Sequence, residues 1–421
     1  MGTDMAIDTE RTELERLVAE HEAWRRRCIN LIASENVMSP AVRAQLATDL
    51  AGRYGDYTGR DLTNRKYFGT PFVEAIEQRV DELARRLYGA RCAELRAISG
   101  HVAGAGVLMG LCRPGDIVLE VGSDGGGHRL AAKLAESSLI DLDVRFLPFD
   151  PMEWNVDVEA AAAMIRELRP CLVILGSSTF LFPHPVRELA AVTHAIEGCV
   201  LGYDASHVFG LIGAGSFQSP LAEGADVLFG STHKTLPGPQ GGLILSNDEQ
   251  IIGAVSQAIY PALVTNHHLV RLPALGLALL ELERWGPAYA AATVANARRL
   301  AAELAHRGLL VAGERHGYSC SHTVLVSTRG HGKAEETGAL LQEAGIIVTA
   351  ARLPAALGRV GVRLGTQEIT RLGASEDDME SLAELLARII TRQASPSDLA
   401  AEVFGWAESR LGPCGYTWAD A

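Results

Sequence analysis

The run Phe229-Gly-Ser-Thr-His-Lys-Thr-Leu-Pro-Gly-Pro-Gln-Gly-Gly242 places an amine among hydroxyls, an imidazole and turn-forming residues. The chain has 38 Lys and Arg among 421 residues, yet only Lys66, Lys133, Lys234 and Lys333 are lysines. A lysine kept where arginine fills nearly every other cationic position points to a task for a neutral amine. An amine condenses with a carbonyl to an imine, which a permanently protonated guanidinium cannot do. Asp204 closes the apolar run Cys199-Val-Leu-Gly-Tyr-Asp204 far enough upstream for one α/β unit to intervene. A lysine imine and a carboxylate in one cleft suit pyridoxal phosphate, whose ring nitrogen a carboxylate keeps protonated. Taken alone, Asp204 would cap the turn that follows it.

Three further elements fit a flat, phosphorylated ligand. Ser99-Gly-His-Val-Ala-Gly104 opens an apolar helix, where free backbone N–H groups favour phosphate. His128 follows Asp124-Gly-Gly-Gly127, and the glycines allow its ring a close approach to a ligand. Arg363, in a strand-like run, has the fork that grips a carboxylate. Singly, a capping serine or a surface arginine is the plainer reading of such residues. A dinucleotide site is the rival, because Gly104-Ala-Gly106-Val-Leu-Met-Gly110 approaches its fingerprint and Glu120 ends the next apolar run. The fingerprint needs strand, tight turn and then helix, whereas these glycines stand inside a helical stretch and read as close-packing positions. A phosphate-binding loop at Lys234-Thr235 fails because His233 precedes the lysine.

These groups need a scaffold that gathers them. From about residue 75 to 245, helix-length segments alternate with short apolar runs at 116–122, 171–177, 199–204, 225–230 and 242–246, an α/β pattern with a mostly parallel sheet. In such a sheet, functional groups lie beyond the carboxyl ends of strands, where Asp124 to His128, Ser177-Ser178, Asp204 to His207 and Ser231 to Lys234 all fall. The expected division is an arm over 1–45, a large domain over 46–285 and a smaller carboxyl-terminal domain over 286–421. Within it, a helical pattern runs over 10–30, and a long one over about 269–306 with a break near Trp285-Gly-Pro287. The smaller domain has strands near 323–326 and 360–365, a helix over 377–392 and a last short helix.

Net charge is −13 with no dense basic patch, which argues against nucleic acid. No apolar stretch has membrane-helix length and the start is acidic, so a cytoplasmic protein without membrane contact is expected. The seven cysteines, at 28, 92, 112, 171, 199, 320 and 414, are scattered without a Cys-x-x-Cys pair, and His267-His268 point to different faces. Neither a disulfide framework nor a metal site is expected.

With these residues in view, the chain resembles serine hydroxymethyltransferase, a fold-type I pyridoxal-phosphate family, over nearly its whole length. Leu31-Ile-Ala-Ser-Glu-Asn36 resembles that family's amino-terminal signature, Arg65-Lys-Tyr-Phe-Gly69 its Arg-Tyr-Tyr-Gly run, and Gly126-Gly-His128 its ring-stacking segment. Asp204-Ala-Ser-His207, Ser231-Thr-His-Lys-Thr235 and Val362-Arg-Leu-Gly-Thr366 resemble its cofactor-nitrogen, Schiff-base and carboxylate-binding motifs. The resemblance implies that Lys234 carries the cofactor, Asp204 meets the ring nitrogen, and His207 and Ser178 lie by the ring hydroxyl. Ser99, Gly100 and His101 would hold the phosphate with Tyr54, Thr265 and Asn266 of a neighbouring subunit, and His233 would flank Lys234. Ser34, Arg363, Tyr54 and Phe68 would bind the substrate, while Asp56, His128 and Ser231 join Lys234 as catalytic candidates. Two subunits complete each site in this family, so a homodimer, or a tetramer built as a dimer of dimers, is implied.

The departures gather where the family binds folate. Asp56 replaces a glutamate, Phe68 a tyrosine, Gln240 an arginine, Thr265-Asn266 a Gly-Gly pair, and Val348-Thr349 a Val-Asn pair, while the loop over 354–361 is short. They weaken the case for tetrahydrofolate and leave the pyridoxal-phosphate residues intact. The run Thr235-Leu-Pro-Gly-Pro-Gln240 resembles the threonine transaldolases. The expected reaction is therefore cleavage and formation of the Cα–Cβ bond of β-hydroxy amino acids through a glycine carbanion (quinonoid). Threonine and an aldehyde would give a new β-hydroxy amino acid and acetaldehyde. The alternatives are a serine hydroxymethyltransferase using tetrahydrofolate or another pterin, an aminotransferase sharing Lys234 and Asp204, and a non-catalytic cofactor-binding regulator.

Overall fold

Seven short apolar runs form the central sheet of the computed structural model, which describes residues 2–418. They are β1 (Cys92–Glu94), β2 (Ile117–Val121), β3 (Asp143–Leu147), β4 (Leu172–Leu175), β5 (Val200–Asp204), β6 (Val227–Ser231) and β7 (Gly242–Ser246). Their spatial order is β1-β7-β6-β5-β4-β2-β3. Strands β2 to β6 pair in parallel, and β7 runs antiparallel to both β6 and β1. Every position of β4, β6 and β7 is buried, which is why these runs are apolar throughout instead of alternating: helices cover both faces.

The glycines of the helix Gly100–Leu111 are close-packing positions. A methyl group on Gly104 would strike Leu130, one on Gly106 would strike Ile259, and one on Gly110 would lie 2.8 Å from the backbone of Val255. This helix thus presses its backbone against its neighbours and holds its amino-terminal end over the sheet.

The long helix Arg271–His306 runs through Pro287 without the break expected near Trp285-Gly-Pro287. Proline removes one backbone hydrogen bond, but packing clamps the helix on both sides of the loss. Leu282 and Ala290 belong to the core under the large sheet, while Ala297, Leu300 and Leu304 belong to a second core. The expected boundary at 285/286 therefore falls inside a helix that serves both cores. The second core lies against a three-stranded antiparallel sheet of β8 (Thr323–Ser327), β9 (Thr349–Arg352) and β10 (Val360–Gly365), in the order β8-β10-β9.

The arm begins with the helix Gly2–Arg27, earlier than the pattern over 10–30 suggests, and then pairs Ile29–Asn30 in parallel with Ile346–Ile347. Ile29 and Leu31 sink into the second core. Among the described residues no helix is long and apolar enough to cross a membrane, and all seven cysteines are free.

Candidate active site

Four strand ends and one helix start converge on a cavity of about 240 Å³. The segments after β2, β4, β5 and β6 bring His128, Ser178, Asp204 with His207, and Ser231 with His233 and Lys234; the helix start adds Ser99, Gly100 and His101. All ten are residues that the sequence singles out. Ser177 and Ser206 also line it, and neither was assigned a role although Ser177 stands in the Ser177-Ser178 pair. Ser177 Oγ donates to the carbonyls of Gly125 and Gly126 at 3.1 and 3.0 Å and so fixes the glycine loop that presents His128.

Burial pushes the Lys234 amine down to about 8; the Asp204 carboxylate opposes this shift and the Arg363 cation adds to it. A substantial neutral fraction at mild pH follows, which imine formation requires. Asp204 answers both readings of its role: Oδ1 accepts the Ser206 N–H at 2.9 Å in a turn, and the residue still lines the cavity. Ser99 caps the helix, its hydroxyl accepting the Val102 N–H at 3.1 Å. Gly100 has no room for a side chain, because a methyl group would lie 2.7 Å from the Ser231 nitrogen. This helix start faces the cavity with the partial positive charge that suits an anion.

Burial favours the uncharged form of the imidazoles in the cavity. Burial pulls His128 and His233 down to about 4 and His207 well below the usual histidine range. His128 stands perpendicular to His101 with centroids 5.8 Å apart, while His207 stacks on His322 at 5.8 Å and 14°. The Nδ1 atoms of His207 and His233 are buried without a protein partner. An amine, a carboxylate, a helix start and unpartnered ring nitrogens around a glycine-walled hollow fit a phosphorylated aromatic aldehyde such as pyridoxal phosphate.

Arg363 reaches in from β10, its Nη1 donating to the Ser178 carbonyl at 2.6 Å while Nε is buried without a partner. Burial pushes its guanidinium down to about 10, so it remains a cation at neutral pH. The arm closes the same region. Asn36 Nδ2 donates to the Lys234 carbonyl at 2.6 Å and to the Tyr289 hydroxyl at 2.9 Å. Gln367 Nε2 donates to the carbonyls of Ile32 and Glu35 at 2.8 and 2.6 Å, and His322 Nε2 donates to that of Ala33 at 3.0 Å. Ser34 sits inside this fastened segment without lining the cavity. Asn36 lay in plain view in the Leu31 to Asn36 motif, whereas His322 and Gln367 carry no sequence signal of a role.

Tyr54, Asp56, Phe68, Thr265 and Asn266 do not line the cavity of their own chain. Tyr54 is 52% exposed and Phe68 fully so, and Thr265 is exposed too. Asp56 is buried in a separate cluster, Oδ1 lying 3.8 Å from His267 Nδ1, and burial pushes its carboxyl upward. Glu77 joins that cluster, bound to His267 Nε2 at 2.5 Å and to Arg65.

The family model described as serine hydroxymethyltransferase matches residues 7–386. A serine hydroxymethyltransferase of Methanopyrus kandleri is 40% identical over 393 residues, 92% of this chain and 91% of that protein. One of Pyrococcus abyssi is 40% identical over 413 residues, 95% of each chain. Among solved structures, L-threonine transaldolase from Pseudomonas fluorescens in its internal aldimine state matches with a TM-score of 0.92 at 30% identity, covering 99% of this chain and 96% of that one.

Proposed function

This chain belongs to the serine hydroxymethyltransferase family of fold-type I, pyridoxal-phosphate-dependent transferases, and we propose that within it the protein is an L-threonine transaldolase. Threonine would lose acetaldehyde, and the retained glycyl unit would add to a second aldehyde. The observation that carries this reading is the match to a transaldolase structure over 99% of the chain, joined to the Lys234 cavity. Bound there, pyridoxal phosphate supplies a sink for the electron pair that the opening Cα–Cβ bond leaves behind.

The protein's own groups have distinct tasks in this proposal. Lys234 would hold the cofactor through its amine, and the Asp204 carboxylate would keep a proton on the ring nitrogen. The Gly100 helix start would take the phosphate. Neutral His128 would offer an uncharged flat face, and Arg363 and Ser34 would orient the amino-acid carboxylate. Tyr54, Phe68, Thr265 and Asn266, all outside the cavity of their own chain, serve the site of a second subunit in a homodimer.

The second reading is a serine hydroxymethyltransferase, favoured by the names of relatives at about 40% identity. The two readings separate in one comparison. Acetaldehyde release from threonine, with and without an acceptor aldehyde and without any pterin, is measured beside one-carbon transfer from serine to tetrahydrofolate. The proposal expects threonine turnover without folate; fast serine turnover that strictly needs folate, with negligible threonine cleavage, overturns it.

A further inference from the structure

A second hollow of about 550 Å³ shares a wall with the Lys234 cavity. The glycine loop is that wall: Gly125 lines the hollow, and its carbonyl accepts the hydroxyl of Ser177, which lines the cavity. Phe146 packs against Gly122 and Phe149 against Gly125 of the loop, and Arg352 and Arg359 line the hollow from the smaller sheet's side. Arg129, directly after His128, is the third arginine, with its guanidinium 5.3 Å from the centre of the Phe146 ring.

The charge of this hollow runs against that of the molecule. The chain carries −13, yet three arginines meet here against two carboxylates, Asp124 in the lining and Glu136 behind Arg129. Arg352 approaches Asp124 at 3.6 Å and Arg129 pairs with Glu136, while the Arg359 guanidinium has no partner among the described residues. Arg129 and Arg359 also sit at φ of 58° and 67°, in the left-handed region that L residues avoid. The Phe146 and Phe149 rings line the hollow beside this positive charge.

We propose that this hollow is the acceptor subsite, taking aldehydes whose far end carries an anionic group on an apolar or aromatic frame. The inference rests on the transaldolase reading and names its substrate class. The aldehyde carbon would enter past His128 while the remote anion lies against Arg359, with Arg129 and Arg352 beside it. Charge-assisted recognition of this kind gives about tenfold or more in discrimination.

The test compares 4-formylbenzoate with benzaldehyde as acceptors for the holoenzyme and L-threonine, following product formation. A kcat/KM preference for the anionic aldehyde of about tenfold or more is expected. It should fall towards unity in Arg359→Gln, return in part in Arg359→Lys, and hold its wild-type value in the remote control Arg79→Gln. Benzene-1,4-dicarboxylate titrated calorimetrically into the same holoenzymes reads binding without turnover and should bind about tenfold more weakly to Arg359→Gln. Should threonine go uncleaved with every acceptor, the functional reading fails, and calorimetry still decides whether the hollow binds carboxylates. Equal use of the two aldehydes by the wild type, or a preference untouched in folded Arg359→Gln, overturns the subsite. So does an Arg359→Gln effect confined to serine-to-tetrahydrofolate transfer.

Discussion

Asn36 fastens Lys234 by its backbone: the amide Nδ2 lies 2.6 Å from the Lys234 carbonyl oxygen across 198 residues of sequence. The same nitrogen donates to Tyr289, whose hydroxyl donates to the Gln367 carbonyl at 2.9 Å. Arm, lysine turn, long helix and the segment after β10 are thereby tied at one point, so the arm is fastened to the turn that presents Lys234.

Replacing Asn36 with Ala removes both bonds from a half-buried setting. A loss of about 1–3 kcal/mol is expected from the unpaired carbonyl and hydroxyl. Thermal unfolding of the holoenzyme measures it. A positioning role adds a second expectation, a lower kcat with little change in threonine KM, because the lysine turn loosens while Arg363 stays in place. An unchanged kcat would reduce Asn36 to a structural tie.

The Lys234 amine at about 8 sets a pH expectation. Capture of added pyridoxal phosphate by cofactor-free protein needs the neutral amine, so its rate should climb through pH 8 and level off above it. Arg363 is among the groups that depress this amine, so Arg363→Gln should move the midpoint upward. The stability of the cofactor-free protein follows the same proton. The unfolded chain binds it more tightly than the folded one, so this group's contribution rises with pH from about 8 towards the ordinary lysine range. A capture midpoint near that ordinary range would show the amine to be in contact with water.

Gly100→Ala tests the helix start. The added methyl would meet the Ser231 backbone nitrogen at 2.7 Å, and backbone cannot step aside as a side-chain tip can. Overpacking of this kind costs about 1–3 kcal/mol. The helix start or the Ser231 strand end must shift, and both line the cavity. Weaker retention of pyridoxal phosphate on dialysis, read from its visible absorbance, should accompany the lower unfolding temperature.

The sheet and the cavity were legible because local chemistry decides them. Buried parallel strands need unbroken apolar runs, and the groups beyond their carboxyl ends are strand-end residues whatever the packing. What packing alone decides stayed hidden. Pro287 read as a break, and only the two cores gripping either side of it keep the helix whole. His322 stacks on His207 and holds Ala33 from a distant strand, a relationship with no sequence spacing to betray it. Asp56 was placed by motif among catalytic groups, yet in its own chain it faces His267, which tertiary folding brings from more than two hundred residues away.

Two exposed aromatic residues bear on the last prediction. Tyr54 is 52% exposed and Phe68 fully so, open to contact with another molecule. If Tyr54 serves the partner's site, two defective proteins repair each other. Lys234→Ala lacks the imine lysine but supplies an intact Tyr54; Tyr54→Phe keeps its lysine and borrows that tyrosine. After subunit exchange at equal amounts, each mixed dimer holds one site with both defects and one with neither, so about one site in four should recover. Threonine cleavage above the level of either parent, rising as exchange proceeds, is the expected result. Were Tyr54 to act on the site of its own chain, every site would keep a defect, and no mixture would exceed its parents.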